Sequence, residues 1–434
     1  MTGRVRPVLF ASEYYPPFAP GGAEWTNAEW ARALANRSQP VVIVTPNYGA
    51  ARRESAAGVD VVRVPFPLKL SKGQKRVPGL VHRNPLWDVY FALCVAWVAY
   101  RHDVRVIHAQ SKGALVGSWL AARALGRPVL ATVRDVGLIC PLGHCPVFET
   151  WKTFDCSARQ YVDKCVPFHL ENYQARAGRG RRAWLWLSVR LSWLDHLVRR
   201  RALSRVDAVV GVSQRILAIH PERIVPSARQ HVVHSLPPRG ETEKVPDAAR
   251  VRRQLGIGDG PLVLYVGKLS PGKGAPVLLE ALDLIRKAVP GARFAFAGRG
   301  EIELPVRDDV HRLGELAHPV VLALYGAADV VVSPSVWPEP LSRVIVEAMH
   351  FGRPVVATDV GGTSEAVEHD VTGLLVPAND AAALAGAVAA LLRDRDRRER
   401  MGQAARARLA AVFGEDKVVS ALLDAYAAAA RRPA

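Results

Sequence analysis

Short apolar segments alternate with helical patterns along the whole chain. Between the segments, apolar residues recur at the three- and four-residue spacing of amphipathic helices. Strands that alternate with helices in this way are typical of parallel sheets built from βαβ units. The predicted strands lie at residues 5–11, 41–45, 60–64, 104–108, 128–133, 207–212, 262–267, 293–297, 329–333, 354–358 and 373–376. Because the pattern occurs once in each half, we expect two doubly wound α/β domains.

The polar segment between the halves predicts a linker. Residues 235–245 read SLPPRGETEKV, and proline in a polar run favours an irregular connection. A chain of 434 residues also exceeds what a single hydrophobic core usually supports. The longest apolar run, residues 86–100, is too short to span a bilayer and contains Asp88. We therefore expect a buried helix there.

The segment Pro334–Glu347, PSVWPEPLSRVIVE, follows a predicted buried strand and carries two carboxylates. Its prolines favour a turn, and a helical pattern begins near Leu341. Glu339 and Glu347 then lie at most ~12 Å apart along the helix axis, at 1.5 Å rise per residue. That separation suits two carboxylates that hold hydroxyl groups at opposite ends of a ligand, with a phosphate near the helix N-terminus. The alternative is two solvated surface glutamates.

The stretch EPLSRVIVEAMHFGRPVVATDVGGTSEAV resembles the donor-site signature of glycosyltransferase family 4, and the resemblance extends from Tyr14 to about Tyr426. Members of this family are retaining nucleotide-sugar transferases of GT-B fold. The resemblance implies two doubly wound Rossmann-like domains that face an interdomain cleft. The N-terminal acceptor-side domain would be residues 1–235, with a Cys- and Arg/Trp-rich insertion at about 138–202. The donor-binding domain would be residues 246–413, and a helix at about 414–434 would pack back on the first domain.

The resemblance also implies roles for individual residues. Glu339, Lys268, Lys273 and Arg134 would be catalytic. Lys268 replaces an arginine of the family pattern, which keeps the charge but loses bidentate geometry. Donor binding would involve Gly21, Gly22, Gly267, Gly298, Leu313, Pro340, Leu341, Ser342, Glu347, Gly361 and Gly362.

Arg134 is a departure from the family pattern, because many members have a histidine at this position. Arginine stays protonated and cannot act as a general base. It could bind a sugar hydroxyl, a phosphate or an acidic acceptor. The alternative is that Arg134 and Asp135 form a surface turn.

The reaction implied by the resemblance moves a sugar from a UDP- or GDP-linked donor to an acceptor hydroxyl, with retention at the anomeric carbon. No cofactor and no metal ion would be required. The acceptor would be a glycan, a lipid-linked sugar or a small molecule. We expect a cytoplasmic protein, since a strand pattern begins almost at once and no N-terminal signal is recognisable.

The net charge of +18 is compatible with nucleic acid, anionic lipid or phosphorylated substrates as partners. Residues 174–201 contain eight arginines and three tryptophans against one acid. Such a helix can lie in an anionic membrane interface, on the inner face of the cell membrane, or it can cover its own domain. A basic nucleic-acid- or membrane-binding protein is one alternative function, although it leaves the two carboxylates unexplained. A nucleotide-sugar epimerase of the same fold is another, and nucleic acid is the less expected partner.

Four of the five cysteines fall in the insertion, namely Cys140, Cys145, Cys156 and Cys165. Their spacing does not match a standard zinc-finger pattern. Without a secretory signal, disulfides are not expected. Two interpretations remain, a structural metal site and unpaired thiols in an acceptor-side loop.

Overall fold

The computed structural model describes residues 5–19, 21–71, 74, 77, 79–82, 84–142, 156–173, 178–238, 245–300 and 302–431. The chain divides into two compact units. Unit 1 comprises Met1–Val233 and Val418–Ala434, and unit 2 comprises His234–Lys417.

Each unit contains one sheet. Within the described residues, the strands of the unit 2 sheet are all parallel, and those of the unit 1 sheet are parallel except for one antiparallel pair at its edge. The strands of unit 1 are β1 (Val8–Ala11), β2 (Val41–Pro46), β3 (Arg53–Ala56), β4 (Val59–Val64), β5 (Val106–Ala109), β6 (Val129–Val133), β7 (Ala208–Gly211) and β8 (Gln230–Val232). Those of unit 2 are β9 (Leu262–Val266), β10 (Arg293–Ala297), β11 (Val310–Gly314), β12 (Val330–Ser333), β13 (Val355–Thr358) and β14 (Gly373–Val376). The spatial orders are β3-β4-β2-β1-β5-β6-β7-β8 and β11-β10-β9-β12-β13-β14.

Helices connect most of these strands, as expected for βαβ units. They are α1 (Gly22–Asn36), α2 (Pro85–Arg101), α3 (Lys112–Leu125), α4 (Ala158–Gln160), α5 (Val166–Tyr173), α6 (Arg179–Leu203), α7 (Gln214–Ala218), α8 (Ala248–Gln254), α9 (Ala275–Ala288), α10 (His318–Ala327), α11 (Arg343–His350), α12 (Thr363–Ala366), α13 (Ala381–Arg393), α14 (Arg395–Phe413) and α15 (Glu415–Ala430).

All the predicted strands are present, with ends that differ by a few residues. They were recognisable because the central strands of a doubly wound sheet are buried on both faces and consist almost entirely of apolar residues. Three strands were not predicted, namely β3, β8 and β11. Each lies at the edge of its sheet and contains polar residues.

The expectation of a buried helix at residues 86–100 is wrong for one face of α2. Trp87, Phe91 and Val95 are buried, but Leu86 and Tyr100 are among five large apolar side chains that are exposed. Within the described residues, no helix combines the length and the apolarity needed to cross a membrane.

The last helix packs on the sheet of unit 1. The buried Tyr426 hydroxyl of α15 lies 3.1 Å from Nδ1 of His108, which is on β5 and completely buried. Thr132 Oγ1 lies 2.8 Å from the other ring nitrogen of His108. Burial lowers the pKa of His108 to about 3, so the ring is neutral and belongs to the core.

Candidate active site

The sheet of unit 2 reverses its order between β9 and β12. From β9 the chain moves outward through β10 to β11, then returns to β12 and proceeds the other way. In open α/β sheets, ligands bind outside the carboxyl ends of the strands at such a reversal. The segments that follow the two strands here are residues 267–274 and 334–342.

Glycines allow these two segments to approach each other closely. A Cβ on Gly274 would lie 1.7 Å from the carbonyl oxygen of Pro334, and Gly274 has φ of +69°. A Cβ on Gly272 would lie 2.6 Å from the Trp337 ring. The backbone N–H of Val336 donates to the Gly272 carbonyl at 3.1 Å. A side chain at Gly274 does not fit while the two segments keep this approach, and a side chain at Gly272 would displace the Trp337 ring.

A lysine from the first segment meets a carboxylate from the second. Nζ of Lys273 donates to Oε1 of Glu339 and forms an ion pair with it. The same oxygen accepts hydrogen bonds from Ser335 Oγ at 3.0 Å and from Trp337 Nε1 at 3.2 Å. The carboxylate is buried, whereas the lysine side chain is one-third exposed. The ion pair therefore fixes the Glu339 side chain at the sheet reversal.

The loop after β13 supports the backbone of Glu339. Gly362 N–H donates to the Glu339 carbonyl at 2.8 Å. Gly361 has φ of +61°, and a Cβ on it would lie 1.7 Å from that carbonyl oxygen. Both predicted glycines thus contact the residue predicted to be catalytic.

Glu347 is buried on α11 and is also held by basic side chains. Its Oε1 accepts from Arg343 Nε at 2.7 Å and lies 3.0 Å from His318 Nε2. Burial alone would raise the pKa of the Glu347 carboxyl, but the His318 hydrogen bond and the Arg343 charge lower it below its ordinary value. Burial and the nearby Glu347 charge raise the pKa of Tyr325 well above 10. Glu347 is therefore an ionised, oriented carboxylate.

The remaining predicted residues of unit 2 lie near the same edge of the sheet. Ser342 is the N-cap of α11 and is buried, and it is preceded by Pro340 and buried Leu341. Gly267 and Gly298 follow neighbouring strands, and a Cβ on Gly298 would lie 1.9 Å from the Gly267 carbonyl oxygen. Lys268 is exposed just after β9, and half-buried Leu313 lies near the end of β11.

A separate cavity in unit 1 brings together the predicted residues of that unit. Its volume is about 330 Å³, and Gly21, Gly22 and Arg134 line it together with Lys112 and Glu13. Gly21 and Gly22 lie at the start of α1. The carboxyl end of β5 contributes Ser111 and Lys112, which begin α3.

Arg134 does not form the surface turn that was the alternative interpretation. Its Nη2 donates to Asn27 Oδ1 at 2.5 Å and to Gln110 Oε1 at 3.2 Å. Its guanidinium lies 4.8 Å from the centre of the Trp30 ring. Burial lowers the pKa of Arg134 to about 10, so it remains charged at neutral pH. Asp135, in contrast, is exposed and accepts from Gly137 N–H at 2.7 Å.

The proposed cysteine site is only partly covered by the structure, because Cys145 lies outside the described residues. Burial and the neighbouring Cys140 and Cys156 raise the pKa of Cys165 to about 11, so its thiol stays protonated at neutral pH. Within the described ranges, no group of three or more His, Cys, Asp or Glu side chains is arranged to hold a metal ion. A four-cysteine site therefore remains a prediction.

The sequence did not single out several residues that hold the site together. Ser335 and Trp337 lie within the segment that was recognised, but nothing marked them as donors to Glu339. Arg343 precedes Glu347 by four residues, a spacing that brings side chains together on a helix and could have indicated the pair. His318 carries no such signal.

Solved structures similar to this chain define the class of its fold. The Anabaena protein HepE in complex with UDP-glucose aligns with 97% of this chain and 99% of its own, at a TM-score of 0.66 and 19% identity. Sucrose-phosphate synthase from Thermosynechococcus elongatus aligns with 97% of this chain and 98% of its own, at a TM-score of 0.68 and 21% identity. The chain has the GT-B fold of glycosyltransferases.

Family models cover most of the chain. Residues 21–235 match the "Glycosyl transferase 4-like domain" and residues 247–408 match "Glycosyl transferases group 1". The chain belongs to glycosyltransferase family 4, which confirms the resemblance noted in the sequence.

Two bacterial relatives illustrate the range of named activities. The D-inositol 3-phosphate glycosyltransferase of Nocardia farcinica is 32% identical over 295 residues, which are 56% of this chain and 65% of that protein. The GDP-mannose-dependent alpha-(1-6)-phosphatidylinositol monomannoside mannosyltransferase of Mycobacterium tuberculosis is 32% identical over 257 residues, 54% of this chain and 66% of that protein. This chain thus spans just under two thirds of the length of both relatives.

Proposed function

We propose that this protein is a retaining glycosyltransferase that moves a sugar from a nucleotide diphosphate sugar to an acceptor hydroxyl. The observation that carries the proposal is the contact of Lys273 with buried Glu339 at the reversal of the unit 2 sheet. A cation and a carboxylate placed together at a strand-end ligand site suit a donor that carries both phosphates and sugar hydroxyls. Family membership supports the same activity.

In this proposal, each carboxylate binds a different part of the donor. Glu339 accepts hydrogen bonds from hydroxyls of the transferred sugar, and Glu347 accepts from the ribose. Glu347 suits this role because Arg343 and His318 both contact Oε1 and fix the group as an ionised acceptor. Between the carboxylates, the first N–H groups of α11 favour a diphosphate.

Lys273 and Lys268 stabilise the negative charge that grows on the diphosphate as it leaves. The anomeric carbon–oxygen bond to the diphosphate breaks, and the acceptor oxygen forms a new bond to the same face of the sugar. The acceptor proton passes to an oxygen of the leaving diphosphate. No covalent enzyme intermediate forms, so the chain supplies orientation and charge rather than a nucleophile.

The acceptor binds unit 1, and the cavity of about 330 Å³ is the proposed place. Its polar lining, which includes Arg134, Lys112 and Glu13, suits a hydroxylated molecule such as a glycan, a small polyol or a lipid-linked sugar. The names of the relatives include an inositol phosphate and a phosphatidylinositol mannoside, which have this character. Gly21 and Gly22 are assigned to the donor by the family pattern. We place the reaction in the cytoplasm, at the inner face of the cell membrane.

A thermal-shift screen tests the donor assignment. The full chain is melted with UDP, GDP, ADP and their sugars, because a ligand that binds the folded state raises the melting temperature. We expect one nucleotide series to raise it, with the diphosphate sugar effective at micromolar concentration. Glu347→Ala should abolish the shift, whereas Arg395→Ala, at an exposed arginine of α14, should keep it.

Transfer is then assayed with the selected donor and a panel of acceptors. Anomeric configuration is determined by NMR of the product, and we expect retention. An isomerised sugar formed without acceptor would indicate an epimerase instead. Failure of every nucleotide and nucleotide sugar to bind would refute the donor site.

A further inference from the structure

Helix α2 exposes an uninterrupted apolar face. Leu86, Val89, Leu93, Trp97 and Tyr100 follow one another at spacings of three or four residues, so they lie along one side of the helix. Their exposed fractions run from 51% at Trp97 to 83% at Leu86. The opposite side of the helix is buried and also apolar. Its only acidic residue, Asp88, is buried, and Arg101 lies at its C-terminus.

Helix α6 exposes a second apolar stripe. One side of α6 packs on a small core formed by Tyr161, Cys165 and nearby residues. The other side exposes four large aliphatic side chains, Leu187, Leu194, Leu197 and Val198.

Helices α2 and α6 flank α3 on one face of the sheet of unit 1. All three connect parallel strands in the same direction across the sheet, and right-handed crossovers place such helices on one face. Helix α3 contacts both of the others. Leu120 of α3 is also partly exposed. We call the outer surface of α2, α3 and α6 the three-helix face.

The three helices that carry this face are rich in basic residues. The three helices contain ten basic residues and two acids, Asp88 and Asp195. Asp195 is paired with Arg199 at 2.9 Å, and Asp88 is buried. Arg190 stacks on Trp186, with 3.3 Å between the guanidinium and the ring centre. Within the described residues, neither acid is left to offset the exposed arginines.

We propose that the three-helix face docks on a lipid bilayer that contains anionic headgroups. Leucine, valine, tryptophan and tyrosine side chains enter the interface, and arginines contact the headgroups. A second copy of this chain suits the face less well, because a symmetric contact would bring the same positive charges together. Nucleic acid would use the arginines but would leave the aliphatic stripes in water.

Vesicle sedimentation of the full chain tests this surface, without donor or acceptor. Vesicles of phosphatidylcholine alone are compared with vesicles that also contain phosphatidylglycerol. We expect binding to the anionic vesicles, weakened but not abolished by salt. The double variant Leu93→Asp, Trp97→Asp should bind at least about tenfold more weakly, since it loses two apolar contacts and gains two negative charges.

A matched control distinguishes binding through this surface from nonspecific adsorption of the protein to vesicles. Leu284→Asp changes an exposed leucine on α9 of unit 2 and should bind as the wild type does. Melting temperature and nucleotide binding confirm that each variant is folded. Three results would overturn the proposal: equal vesicle binding by the double variant, no binding by the wild type, or a wild-type dimer that the double variant converts to monomer in sedimentation velocity.

Discussion

Replacing Gly361 by alanine should slow catalysis in addition to lowering stability, because this glycine supports the backbone of Glu339. The new Cβ would lie 1.7 Å from the Glu339 carbonyl oxygen. Restoring a tolerable separation of about 3.0 Å requires the two segments to part by roughly 1.3 Å. Gly362 N–H donates to that same oxygen, so the movement also strains this hydrogen bond.

The magnitude follows from two separate terms. Alanine in the left-handed region costs about 1–2 kcal/mol of stability wherever it is introduced. Displacement of a positioning group by about 1 Å can cost on the order of 10²-fold in rate. We therefore expect Gly361→Ala to lower kcat by about 10²-fold while the unfolding free energy falls by a few kcal/mol.

Gly256 provides the matched control. It lies in the same unit with φ of +65°, close to the +61° of Gly361, and its Cβ would meet nothing within 4 Å. Gly256→Ala should therefore show only the stability loss. Transfer kinetics and urea unfolding are measured on both variants. If the two have equal kcat, the account of how Gly361 positions Glu339 is refuted.

Three further predictions concern ionisable side chains. Lys273→Met should lower the free energy of unfolding in urea by about 1–3 kcal/mol, because the buried Glu339 carboxylate loses its cation. The double variant Lys273→Met, Glu339→Gln should recover part of that loss. Arg343→Gln should raise the pKa of Glu347. As the pH is lowered, donor binding that requires the ionised carboxylate should then be lost at a higher pH than in the wild type. Calorimetry at a series of pH values measures this. His108 is neutral when folded, with its pKa lowered from 6.5 to about 3, so its contribution to stability is complete above pH 6.5 and is lost as pH falls toward 3. In urea unfolding, the loss of stability between pH 7 and pH 5 should be smaller for His108→Gln.

The sequence predicted the sheets well because burial leaves a direct signal in composition. Central parallel strands such as β1 are apolar at every position. The edge strands β3, β8 and β11 have neighbours on one side only and tolerate polar residues, so no apolar run marks them. The prediction that α2 is buried was wrong on one side for the opposite reason. A helix that is apolar on nearly every side predicts burial, and composition alone does not reveal which side remains uncovered.

Within the site, the sequence indicated the two carboxylates and Lys273, but not the contacts that hold the carboxylates in place. Lys273 and Glu339 are 66 residues apart, and only the adjacency of β9 and β12 brings them together. The His318–Glu347 contact depends in the same way on tertiary structure. The surroundings of Arg134 could not be predicted from the sequence either, because its partner Asn27 lies on α1, more than 100 residues earlier.

A crystal structure of the chain with its nucleotide diphosphate sugar tests the central claim most directly. We expect a diphosphate near Lys273 and the N-terminus of α11, with sugar hydroxyls within hydrogen-bond distance of Glu339 and ribose hydroxyls within hydrogen-bond distance of Glu347. A donor bound away from the reversal of the unit 2 sheet, or with either carboxylate out of reach, would contradict this claim.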